Sequence, residues 1–160
     1  MCLLLYASIA GSPSREPVTI PSPYLSMSPV NHVGDGDQFG ILQLFPNRTV
    51  WLLVSDEGCA CNMMWVGKAD EDMTDWPQEI AAEARKYHER SLMRMVALRD
   101  FCREIASISQ GQEMQIFAHW IGDPLEITET KVDGLEAFFG RDEVHFEVGH
   151  LYVLALPKWV

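Results

Sequence analysis

Positive charge is scarce in this chain. Twelve lysines and arginines stand against 23 aspartates and glutamates, a formal charge of −11 over 160 residues. Such a field repels phosphate backbones and anionic membrane surfaces, so it disfavours nucleic acid and favours a cation or a basic protein partner. The densest basic stretch, Arg85-Lys86 to Arg103, is interleaved with acids. Long apolar runs are missing too, and nothing approaches the ~20 apolar residues that a membrane-spanning helix needs. The opening run Cys2 to Ala10 ends in small residues as a signal peptide would. It lacks a basic start, is interrupted by Tyr6 and Ser8, and is short, so it reads as a strand. Cysteines number only four, too few for a disulfide scaffold, which points to a reducing compartment such as the cytoplasm.

Several chemical signatures are also lacking. Gly34-Asp35-Gly36-Asp37 with Gly40 has GxGxxxG spacing and is followed by a strand-like run. A phosphate loop needs a helix N-terminus there, so no nucleotide cofactor is expected. Asp35 and Asp37 have no downstream glutamate in calcium-loop register. No nucleophile–base or carboxylate pair stands out, which leaves enzyme function a poor third to a metal site or an interaction module.

What is present is enough for one globular domain over residues 1–160, with 48% hydrophobic side chains and a proline-rich surface loop over residues 11–30. Five of the nine prolines fall in that loop and favour an extended crossing. Cys2 to Ile9 reads as a first strand. The segments Asp37 to Phe45 and Thr49 to Ser55 read as a hairpin around Pro46-Asn47-Arg48. The second of these, apolar on both faces, belongs inside a covered sheet. Asp75 and Gln78 have capping-box spacing around Pro77, and the apolar spacing that follows gives one long helix or two shorter ones to Ile108. Met114 to Trp120 is a strand, Asp133 to Phe138 a helical hint, and Glu143 to Val148 with Leu151 to Leu156 a closing hairpin. The class is α+β: a mixed or mainly antiparallel sheet of five to six strands covered by helices.

The candidate chemistry sits in Gly58-Cys59-Ala60-Cys61. A Cys-x-Cys pair can supply two ligands of a tetrahedral zinc or other transition-metal site from one loop. Cys2 is the natural third thiol, with His119, His88 or Met63 to complete the set. Asp56 and Glu57 favour a bound cation and would raise the pKa of metal-free thiols. The ordinary alternative is that Cys59 and Cys61 are small residues buried at a tight turn, and a reversible disulfide is a third reading. Cys102 falls on the helix's apolar stripe and reads as inert core. Cys2 as an N-terminal nucleophile has no glycine-flanked oxyanion motif to support it. His119 at a strand end and His145 between Glu143 and Glu147 read more simply as structural and solvated residues. The rival to a metal site is an acidic module whose carboxylates and tryptophans, Trp65 and Trp76 among them, bind or inhibit a basic protein.

Met1-Cys2 with Leu5-Tyr6, then Ser22-Pro23-Tyr24-Leu25, then Ser55-Asp56-Glu57-Gly58-Cys59-Ala60-Cys61, and finally His119-Trp120-Ile121-Gly122-Asp123 together resemble a group of small bacterial proteins of unassigned function. That group shares an initial Met-Cys, a Ser-Pro-Tyr-Leu-like tract, a central Gly-Cys-x-Cys, and a cysteine or histidine before the late tryptophan. The resemblance implies that Cys2, Cys59 and Cys61 belong together, and it implies no activity.

Overall fold

The computed structural model describes residues 3–14, 22–30, 36–63, 65–67, 73–109 and 111–157. In chain order they form β1 (Leu3–Ala10), β2 (Leu25–Pro29), α1 (Gly36–Leu44), β3 (Arg48–Ser55), β4 (Trp65–Gly67), α2 (Gln78–Ile108), β5 (Glu113–Trp120), β6 (Glu129–Gly134), α3 (Leu135–Phe139), β7 (Glu143–His145) and β8 (His150–Ala155). Six strands make one mixed sheet in the order β2-β3-β1-β5-β8-β6, and β4 pairs with β7 in a small second ladder. Every pairing in the large sheet is antiparallel except that of β6 with β8.

The sheet is apolar on both faces, and the alternation of β1 shows why. Leu3, Leu5, Ala7 and Ile9 enter one core with Trp51 and Leu53 of β3 and Leu98, Phe101, Cys102 and Ile105 of α2. Tyr6, with Leu4 beside it, enters a second, smaller core with Val50, Phe117 and the α1 side of the chain, Ile41 and Phe45. Successive strand residues point to opposite faces, so a strand with layers on both sides must be apolar at nearly every position. The sequence reading of β1, of the two-faced β3 and of the α+β class agrees with this architecture.

Four local readings are corrected. Residues 36–44 form a helix, not a strand. Ile41 and Phe45 sit four apart on the turn that meets the sheet, and a short apolar run satisfies either period. The Pro46-Asn47 turn is real, with Asn47 left-handed at φ 60, but it joins a helix to a strand. The long helix is a single 31-residue element whose N-cap is Pro77 with no side-chain cap hydrogen bond, so the capping box does not form. The expected closing hairpin is absent: β7 pairs with β4, and β8 lies between β5 and β6. Within the proline-rich stretch, Leu25–Pro29 is extended as expected yet is paired as an edge strand, the sheet position that tolerates proline.

Candidate functional site

The Cys-x-Cys loop leaves β3 at Ser55 and is pinned by that residue. The Ser55 amide and hydroxyl both donate to the Cys59 carbonyl, at 3.0 and 2.6 Å. The Glu57 amide donates to the Ser55 hydroxyl at 3.3 Å, and the Gly58 amide donates to the Ser55 carbonyl at 3.0 Å. Gly58 turns the chain at φ 83, a left-handed conformation that glycine enters without steric cost. Ala60 and Met63 anchor the loop in the α2-side core, while Cys59 and Cys61 are half-buried beside it.

Beyond Leu5, which faces Leu53, β1 loses its β3 partner and the cysteine loop takes that place. The Ala60 amide donates to the Leu3 carbonyl at 3.1 Å, and the Leu3 amide donates to Cys61 Sγ at 3.2 Å. The sulfur thus stands where a strand carbonyl would accept. The Cys61 amide donates to Cys59 Sγ at 3.3 Å. Burial pushes the Cys61 thiol up, but hydrogen bonding from Cys59, from the Leu3 amide and from its own amide outweighs that and holds it below its ordinary value.

The carboxylates beside the loop do not act as the sequence suggested. Arg94 of α2, fully buried, donates from Nε to Asp56 Oδ1 at 2.6 Å and from Nη2 to Glu57 Oε1 at 2.9 Å. Arg90 lies 3.7 Å from the same Glu57 oxygen, and Asn62 donates to the other. The Arg94 hydrogen bond holds the Asp56 carboxyl below its usual range. Burial works against the Arg94 charge, yet the two carboxylates raise its pKa on balance. The acids are therefore paired with a guanidinium, and the Cys61 thiol is not raised by them. Sequence reading passed over Arg94. Its signal was a charged residue between Ser91 and Leu98 on the buried stripe of α2, a position that requires buried partners.

Of the other named residues, His119 is buried and stacked 6.2 Å from Phe117 at an interplanar angle of 12°. Its register partner is Leu4, so it lies on the α1 face of the sheet, opposite to the face on which Ala60, Met63 and Cys61 pack. The structure therefore does not bring His119 to the cysteine pair. Met63 is core, and His88 lies on α2 with its ring 6.2 Å from that of Tyr87. Cys102 is fully buried, and its desolvated thiol is pushed well above its ordinary value, as expected for inert core. Cys2 lies outside the described residues, as do Gly34 and Asp35. Among the described residues, no three His, Cys, Asp or Glu side chains gather closely enough to hold a metal ion. No described helix is long and apolar enough to cross a membrane. No protein family, curated protein or solved structure matches the chain.

Proposed function

We propose that Cys59 and Cys61, with Cys2 as third ligand, form a thiolate site that binds a transition metal, zinc first, in a structural or sensing role in a reducing cytoplasm. The observation that carries this reading is the 3.2 Å contact from the Leu3 amide to Cys61 Sγ. That nitrogen joins Leu3 to Cys2 in the chain, which supports Cys2 as the third ligand. Amide donors to sulfur also favour the thiolate, the form that ligates metal. With His119 on the far face, no described histidine completes the set, and the fourth position is open to water or another ligand.

Native mass spectrometry of protein purified without added metal, before and after a chelator and with thiol counting, tests the proposal. The expected result is one chelator-removable zinc, lost in Cys61→Ser and kept in Cys102→Ala. Four titratable thiols and no zinc uptake against a competing chromophoric chelator would overturn it.

A further inference from the structure

The buried stripe of α2 does not end where the sheet does. Ser91, Arg94, Met95, Leu98, Phe101, Cys102 and Ile105 are buried along the helix's C-terminal half. At a helical period the same stripe runs back through Tyr87, Ala84 and Ile80, which are neighbours at three- and four-residue spacing. There it emerges into solvent: Ile80 is 55% and Tyr87 49% exposed, and Trp76 near the helix start is 40% exposed. The helix is ~46 Å long at 1.5 Å per residue, and its first half, buried only at Ala81 and half-buried at Ala84 and His88, forms a largely exposed overhang.

One flank of this overhang carries its charges in a definite order, Glu79 and Glu83 followed by Lys86 and Arg90. These residues are three or four apart and lie along one side of the stripe. Within the chain Lys86 bridges Glu83 at 3.1 Å and Arg90 lies 3.7 Å from Glu57, both exposed pairs that solvent screens and that can exchange partners. Two such helices packed antiparallel about an axis at Ala84 bring the acidic half of each flank against the basic half of the other. A parallel pairing would set like charges together. Ala84, small and half-buried, stands at the crossing point and lets the helices approach, with Ile80 of each near Tyr87 of its mate. The two basic residues also make this face a poor seat for a basic foreign protein.

We infer that the overhanging half of α2, from Trp76 to Arg90, is a self-association surface that pairs antiparallel with the same segment of a second copy of the chain. The contact spans only about three helical turns, below the size of a standard interface, so the dimer is weak, with Kd of roughly 10–500 µM.

Sedimentation equilibrium of the full chain across that concentration range tests this, with near-UV circular dichroism confirming that each variant is folded. Reversing one charge of a cross-helix pair acts twice in a symmetric dimer, so Glu83→Lys and Lys86→Glu should each weaken association by about 10-fold. The double swap E83K/K86E should restore it to within about 3-fold, because opposite charges face each other again. Ile80→Glu should abolish it. A wild-type chain that stays monomeric up to ~500 µM overturns the inference, whether or not the face binds a cationic peptide instead. So does a dimer indifferent to Glu83→Lys and Ile80→Glu.

Discussion

At the scale of single residues the strongest dependence is on Arg94. Its guanidinium is wholly buried and holds two carboxylates of one turn, Asp56 with 19% and Glu57 with 47% of the side chain exposed. Removing it strands Asp56 and leaves Glu57 only Arg90 and Asn62, but partial exposure lets both acids recover some hydration. Arg94→Met should therefore cost about 2–4 kcal/mol in urea unfolding, toward the lower part of the range for broken buried pairs. Arg94→Lys should not restore the loss, since an ammonium cannot present the planar fork that meets two carboxylates. Adding Asp56→Asn and Glu57→Gln to Arg94→Met should recover part of it; full stability in Arg94→Met alone would show that the network is idle. Two glycines make a second, internally controlled test. Gly58 and Gly149 are both left-handed, but an added Cβ at Gly58 meets nothing within 4 Å, whereas at Gly149 it would lie 2.9 Å from Thr128 Oγ1. Gly58→Ala should cost about 1 kcal/mol of backbone strain, and Gly149→Ala clearly more; equal costs would contradict the tight packing at Gly149. At this scale the sequence disclosed the cysteine pair through its rarity. It hid Arg94, because an arginine in a helix stripe reads as solvated until the partner loop, 37 or 38 residues away in the chain, is placed against it.

At the scale of elements, what was legible followed burial. β1, β3 and β5 are interior strands with apolar residues on both faces, and their sequences say so without context. β6 is an edge strand reading Thr130-Lys131-Val132-Asp133, with charges that discourage further pairing, and it carries no alternation to find. The mistaken hairpin of β7 and β8 has a similar cause: inward Val144 and Phe146 announce a buried face but not which strand lies alongside. α1 was misread because nine residues with two glycines and one fully buried anchor, Ile41, followed by Phe45 just past its end, fit both periods. The length of α2 was legible, and its uneven anchoring is a structural finding with a measurable consequence. From Gln78 to Arg90 only Ala81 is buried, whereas Ser91 to Ile108 supply ten buried residues. Native-state hydrogen exchange in dilute solution should find amides after Ser91 protected close to the global stability and those before it exchanging by local fraying, orders of magnitude faster. Leu98→Ala should cost about 2–5 kcal/mol, as a fully buried leucine does, and Ile80→Ala should cost under about 1 kcal/mol. Uniform protection along all 31 residues would mean that the overhang is held by something more than its own helix.

At the scale of the whole molecule, the excess of acid makes low pH the informative direction. Three carboxyls are held below their ordinary range by a cation: Asp56 by Arg94, Glu136 by Arg103 and Glu147 by Lys131, in each case chiefly through a hydrogen bond to the charged form. A carboxyl whose folded pKa is depressed contributes stability that is present above its unfolded value, near 4, and is lost as pH falls through the lower folded value. The stabilising contribution of these pairs is thus complete at pH 6 and is lost progressively as pH falls below about 4. Glu136 and Glu147 are about half exposed, so solvent and salt screen their share. Asp56, paired with a buried guanidinium, should dominate the site-specific part. Asp56→Asn should therefore be less stable than wild type at pH 6 to 7, and the two proteins should converge toward pH 2, where wild-type Asp56 is protonated as well. A stability difference that stays constant across that range would assign the loss to packing and not to charge, and would leave the Arg94 network without an electrostatic role.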